Sequence, residues 1–348
     1  MPGMVLPVYI MNMPSSLKTP HFTLQEKNKM MYPFNKQMKQ ESVVLEDFEL
    51  ARLLTITRDA IRKARQKELD QFNVHIRRAS LLRAIDSLGD KATPVAIAQW
   101  LLRERHTVSE LLGKIEAEGL AKKIRDLDRK NRVRVVLTAK GAKMLQQSIV
   151  RTSLHQIISC LSEEDKERLR RLLKKLRTQA MKEIGFAVTI THLPDSDPDY
   201  QLFGLIIETT DAMHKARQKE LYEHNINMSW SAILLTVKAL GDKATPIAIG
   251  RWLLRERHTV SELLDKMESD GLVKKIRDLD RKNRVRVVLT PKGLETYEKS
   301  RAGTAFPRVV SALTKSEREH LKMCLRLLRN EALKNLGRTY PGKLPDQA

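Results

Sequence analysis

Residues 89–141 and 241–293 are nearly one sequence written twice, 152 positions apart with no insertion or deletion. The first copy reads GDKATPVAIAQWLLRERHTVSELLGKIEAEGLAKKIRDLDRKNRVRVVLTAKG, and the second differs at nine of its 53 positions (95, 98, 99, 113, 115, 117, 118, 121 and 139). The same register persists faintly outside the block. KARQKEL occurs at Lys63–Leu69 and at Lys215–Leu221, and SEEDKERLRRLLKKL from Ser162 is echoed by TKSEREHLKMCLRLL from Thr314. A repeat of this kind sets the architecture before any local reading does: the chain is a tandem duplication. Its flanks have drifted while the central block has not, so both copies of the block are expected to face the same target.

Length and charge narrow what that target can be. A chain of 348 residues has room for two domains with sizeable cores. Its 14 glycines and 13 prolines are few, which favours helix over a loop-rich or all-β fold. The formal net charge of +22 points to polyanionic partners, nucleic acid or an anionic membrane. That charge is concentrated: Lys122–Arg134 holds seven Lys/Arg against two Asp, and Lys274–Arg286 is identical to it. No apolar stretch reaches the roughly 18 residues of a membrane span, and the N-terminal segment lacks the basic start of a signal peptide. The two cysteines, Cys160 and Cys324, are not repeat-equivalent and sit in no paired metal-ligand spacing, so they are expected as core filler. No metal and no cofactor are expected, and the cytoplasm is the expected compartment.

Along the chain, residues 1–44 lack periodicity and are expected to form a flexible tail. A first domain follows at 45–184, a linker at 185–196, a second domain at 197–337 and a C-terminal tail at 338–348. From Leu45 a helical pattern runs through Phe48, Leu50, Leu53, Leu54, Ile61 and Ala64. A helix over Ile76–Leu88 stops at Gly89, and Thr93-Pro94 caps and opens another. Val108, Leu111, Leu112 and Ile115 then mark one buried stripe of a helix ending at Gly119. Thr107 and Glu110 have the spacing of a capping box. Ala121–Arg125 and Arg132–Leu137 read as a β-hairpin around a basic turn. Thr138 caps a long helix expected from about Lys140 to Ser159, and Ser162 starts one more, with acids in its first turn.

Helix, turn, helix and basic hairpin together make a winged helix-turn-helix, whose second helix fits the DNA major groove and whose hairpin can lie along the backbone or enter the minor groove. The run TVSELLGKIEAEGL, a basic turn containing Asp126 and Asp128, and VRVVLTAKG resemble the MarR (multiple antibiotic resistance regulator) family over about 95 residues of each copy. The resemblance implies a mainly α fold with small β-hairpin wings. It also implies a transcription regulator that binds double-stranded DNA as a two-fold dimer held by its terminal helices. Family members carry one such domain per chain, whereas two are fused here, so one chain is expected to act as an intramolecular pseudo-dimer. The family further implies a pocket near the dimerisation helices for a small-molecule effector of unidentified chemistry. There the copies differ, Arg77 and Arg78 facing Ser229 and Trp230, so either the two pockets take different ligands or only one exists.

The residues expected to contact DNA follow from these placements. On the recognition helices they are Arg105, His106, Thr107, Ser109 and Lys114, with Arg257, His258, Thr259, Ser261 and Lys266 in the second copy. On the wings they are Arg125, Arg129, Lys130 and Arg132, with Arg277, Arg281, Lys282 and Arg284. Asp265 replaces Gly113 and is expected to place an unpaired carboxylate toward DNA in one half only. Trp100 and Trp252 are expected to pack in the core. Alternatives remain an architectural binder that uses charge without base readout and a winged-helix protein-interaction module. An enzyme is not expected, because no nucleotide-binding, metalloprotease or nucleophile-elbow motif occurs.

Overall fold

The computed structural model describes residues 24–101, 103–125, 133–185, 197–277 and 285–341, with side chains from Asp47 onward. In the first repeat α1 (Leu24–Asp70) is followed by α2 (Ile76–Leu88), α3 (Pro94–Trp100), α4 (Arg105–Ala117), β1 (Ala121–Arg125), β2 (Val133–Leu137), α5 (Ala139–Gln147), α6 (Thr152–Ile158) and α7 (Glu163–Ile184). The second gives α8 (Pro198–Tyr222), α9 (Met228–Leu240), α10 (Pro246–Leu253), α11 (Arg257–Ser269), β3 (Val273–Arg277), β4 (Val285–Leu289), α12 (Pro291–Arg301), α13 (Ala305–Val310) and α14 (Lys315–Asn335). Each hairpin is antiparallel, with Ala121 opposite Leu137 and Val273 opposite Leu289. No helix among the described residues is long and apolar enough to cross a membrane.

Two small cores repeat position for position. Leu81, Ile97, Val108, Leu112, Ile115, Leu120 and Val135 fill the first head. Ile233, Ile249, Val260, Leu264, Met267, Leu272 and Val287, each 152 residues on, fill the second. A third and larger core belongs to both repeats: Leu50, Leu54 and Ile61 of α1, Leu173 and Leu176 of α7, Leu202 and Ile206 of α8, and Leu325 and Leu328 of α14 pack together. Contacts inside it come in reciprocal pairs. The buried Thr57 hydroxyl donates to the Leu325 carbonyl at 3.1 Å, and Thr209 donates to Leu173 at 3.3 Å.

The KARQKEL motif has a structural task at almost every position. Arg65 donates to the carbonyls of Ser148 and Val150, in the break between α5 and α6. Glu68 accepts from the backbone N–H (3.0 Å) and hydroxyl (2.5 Å) of Ser153, closing the open N-terminus of α6. Gln66 accepts from the Ile76 N–H at 2.8 Å, fixing the start of α2. In the second repeat Glu220 accepts from Thr304 and Ala305, and Gln218 from Met228. Hence the single long helix expected over Lys140–Ser159 is two helices, because a buried guanidinium satisfies the carbonyls that a continuous helix would have used. The second expectation to change is the tail: residues from Leu24 are helical, the run of Lys, Gln, Glu and Met there being good helix formers.

Cys324 is fully buried in the shared core, where burial pushes its thiol up to about 11. Trp252 is buried, and the Tyr340 ring meets it edge-on at 5.4 Å, whereas Trp100 is half-buried against the first head's core.

Candidate nucleic-acid interface

Helix α4 buries Val108, Leu112 and Ile115 and exposes Arg105, His106, Ser109, Glu110, Gly113 and Lys114, with Thr107 half-buried. Helix α11 repeats this: Arg257, His258, Glu262, Asp265 and Lys266 are exposed, and Thr259 and Ser261 half-buried. The recognition-helix residues expected from sequence therefore share one outward face in each head. Their helix starts a turn earlier than the capping box required. Glu104 is the N-cap, extended and without a side-chain cap, and its carbonyl accepts from Val108 at 3.1 Å. Thr107 is thus inside the helix, and Glu110 belongs to the exposed face. Glu256 occupies the same N-cap position in the second head. A carboxylate there suits the positive end of the helix dipole.

Each wing is braced against its helix. Lys123 of β1 donates to Glu116 through Nζ at 2.8 Å and backbone N at 3.2 Å, and the Nζ bond holds the Glu116 carboxyl below the usual carboxylate range. Lys275 does the same with Glu268, the backbone bond being 2.7 Å, and lowers that carboxyl too. Arg134 and Arg286, near the turn ends of the second wing strands, pair with Asp90 and Asp242. The Val135 N–H donates to Ala92 and that of Val287 to Ala244, both at 2.8 Å, so each hairpin gains a third backbone edge.

The LTxKG segment then closes the wing onto the end of the recognition helix. The Thr138 hydroxyl donates to the Gly119 carbonyl at 2.7 Å and Lys140 to the Glu118 carbonyl at 2.8 Å. Gly119 itself is left-handed, at φ +70°. A Cβ on Gly141 would lie 1.9 Å from the Leu120 carbonyl oxygen, and on Gly293 1.8 Å from that of Leu272, so only glycine fits this crossing.

Arg125 and Arg277 are exposed at the outer strand ends. Arg129, Lys130, Arg132, Arg281, Lys282 and Arg284 lie outside the described residues. Asp265 differs from the sequence expectation: its carboxylate is paired with Lys275 of β3, whereas Gly113 has open space around it. Helix spacing shows that position 265 is exposed, but not that a strand lysine ten residues later reaches it.

Sequence reasoning missed a set of residues outside the heads. Lys63 pairs with Glu256 at 2.5 Å and Lys215 with Glu104 at 3.5 Å, each linking a terminal helix of one repeat to the recognition helix of the other. Arg103 lies in the field of Asp211, and its counterpart Arg255 in that of Asp59. The retained KARQKEL was the available signal. In the region of the expected effector pocket, Arg255 donates to the Ser229 hydroxyl at 3.1 and 3.2 Å. The corresponding Arg103 instead feels the like charge of Arg77.

Residues 229–293 match the family model described as winged helix DNA-binding domain, which covers the second head from α9 through its wing. A search of curated proteins finds no match. Among solved structures, the ligand-free organohalide-sensing RdhR-CbdbA1625 transcriptional regulator is 26% identical, with TM-score 0.38, covering 45% of this chain and 99% of its own. Its 2,4-dichlorophenol-bound form is 27% identical, with TM-score 0.36, covering 41% and 88%. The S. aureus MepR–DNA complex is 28% identical, with TM-score 0.31, covering 34% and 87%.

Proposed function

We propose that this chain, a DNA-binding regulator with a winged helix DNA-binding domain at residues 229–293, reads a pseudo-palindromic operator by itself, as an intramolecular pseudo-dimer. Helices α4 and α11 enter successive major grooves, and the two basic wings follow the backbone or minor groove. The observation that carries this reading is the pair of matching exposed helix faces on two heads, joined by one core of terminal helices from both repeats and by reciprocal ion pairs from each repeat's terminal helix to the other's head. In a two-fold dimer such contacts join two chains; here both sets lie within one.

The net charge of +22 supplies the sequence-independent part of binding. His106, Ser109 and their counterparts are the candidates for base-edge or phosphate contacts, with Arg105 and Lys114 beside them. The role is that of a non-enzymatic regulator.

Selecting bound fragments from a random duplex pool, with light scattering on the complex, tests the proposal. One chain should protect one inverted repeat with half-sites about one helical turn apart. An obligate two-chain assembly, with the operator shared between chains, sinks it. Enrichment of no sequence at all supports the architectural alternative instead.

A further inference from the structure

We infer that Asp165, His320 and Cys324 form a binding site for a thiophilic divalent cation of the zinc class, tying α7 of the first repeat to α14 of the second. One ligand atom from each of the three residues lies within 4.8 Å of the others. His320 and Cys324 are four apart on α14 and so share one face. Cys324 Sγ is 3.5 Å from His320 Nε2, and that same nitrogen is 3.4 Å from Asp165 Oδ1.

The two separations from His320 are those of metal ligands. Tetrahedral zinc with bonds of about 2.3 Å to sulfur and about 2.0 Å to nitrogen and oxygen holds its S and N about 3.5 Å apart and its N and O about 3.3 Å apart. Hydrogen bonding is the competing account, an Nε2–H donating to both the Asp165 carboxylate and the Cys324 sulfur, but 3.4 Å lies beyond the usual N–H···O range. A cation between the three uses the lone pair of that nitrogen once and satisfies all of them.

The site also has supporting structure. The second oxygen of Asp165 accepts from the Ser162 hydroxyl at 2.8 Å, and that hydroxyl accepts from the Asp165 N–H at 3.1 Å. This fixes the carboxylate with Oδ1 toward His320, as outer partners of metal ligands do. Cys324 is fully buried while Asp165 and His320 are only partly so, which gives an entry side. Thiolate, imidazole and carboxylate together select zinc-like ions over calcium or magnesium. The repeat supplies a control: positions 152 residues away carry Glu317, Arg168 and Leu172, and Glu317 forms an ordinary ion pair with Lys175 at 2.6 Å. The soft ligand set occurs in one half only, so it is not part of the shared fold.

The test uses the full chain, stripped by chelator and titrated with cobalt(II) as a spectroscopic probe. Wild type should bind one cobalt per chain and show a thiolate-to-cobalt charge-transfer band that zinc abolishes by displacement. Cys160→Ser should keep the band and Cys324→Ser should lose it. His320→Gln, at a partly exposed position, should weaken binding roughly tenfold or more, the scale on which even outer-shell partners of a metal site act. Zinc should also raise the wild-type melting midpoint by several degrees and leave His320→Gln little changed at the same concentration. Circular dichroism of the metal-free variants establishes that they fold, and His320→Gln decides the matter if Cys324→Ser does not. No charge-transfer band at saturating cobalt, or a band that survives Cys324→Ser, overturns the assignment.

Discussion

Lys63 and Glu256 are 193 positions apart in the chain and 2.5 Å apart in space, and their repeat equivalents Lys215 and Glu104 form the same pair in the opposite direction. Each lysine lies on a terminal helix of the shared core, and each glutamate is the N-cap of the other repeat's recognition helix. The sites of expected DNA contact are thus held by the opposite half of the molecule. A shift in the packing of α1 against α8 would reach both of these helices at their first turns.

Both pairs are at least partly exposed, so each is worth at most about 1 kcal/mol. Replacing Lys63 and Lys215 together by alanine should therefore move the urea midpoint little. Placement of the heads should respond more. The double variant is expected to lose discrimination between operators whose half-sites are spaced one helical turn apart and operators lengthened by two base pairs. Unchanged discrimination in a competition gel shift would show that the pairs do not orient the heads.

Gly141 and Gly293 make a sharper stability test. A methyl group at either position meets a backbone carbonyl below 2 Å, and backbone cannot rotate away as a side chain can. Gly141→Ala should cost roughly 2 kcal/mol or more, read as a lower urea midpoint. Ala142→Gly, one residue on, is the comparison for helix propensity alone, at about 1 kcal/mol. Equal losses in the two variants would mean that the crossing is looser than its geometry implies.

Much of this was legible in the sequence where one residue type has one physical use. Thr93-Pro94, Gly119 and the Val108/Leu112/Ile115 stripe each placed an element correctly, and the duplicated block placed them twice. What failed depended on partners distant in sequence. Nothing local in KMLQQSIVRTSLHQIIS shows that Arg65 breaks the helix there, and nothing near Asp265 shows that Lys275 neutralises it. Cys324, His320 and Asp165 come together only once α14 packs on α7. The capping box was a local misreading: Thr-x-x-Glu fits mid-helix as readily as at a start, and Glu104 competes as cap.

His214 gives a pH dependence with a definite sign. Burial, then the charges of Arg58 and Arg255, lowers its pKa from 6.5 to about 3, and Thr55 bonds its ring at 2.8 Å. The folded chain keeps this histidine neutral while the unfolded chain protonates it below pH 6.5. Stability from this group is therefore full above pH 6.5 and lost as the pH falls toward 3, by up to about 1.4 kcal/mol per pH unit. The urea midpoint of wild type should drop between pH 6.5 and 5, and His214→Gln should show less of that drop. The same slope in both proteins would assign the effect to other groups.

The last prediction concerns the inequality of the two heads. Asp265 pairs with Lys275, whereas in the first head Lys123 pairs with Glu116 and the equivalent of Asp265 is Gly113. Among the described residues Lys275 thus pairs with two carboxylates where Lys123 pairs with one. Asp265→Gly should leave Lys275 with Glu268, as Lys123 is with Glu116, remove one carboxylate from the DNA-facing side, tighten binding on every duplex and steepen the salt dependence by up to about 0.9 in slope. Gly113→Asp should do the reverse in the first head, because Lys123 stands where Lys275 stands. Repulsion between a carboxylate and phosphates acts in the same direction, so the salt slope carries the distinction: repulsion alone changes affinity more than it changes the number of ions displaced. Should Asp265→Gly instead loosen binding and erase the preference at one half-site position, Asp265 accepts from a cytosine amino group and its pairing with Lys275 gives way on the DNA.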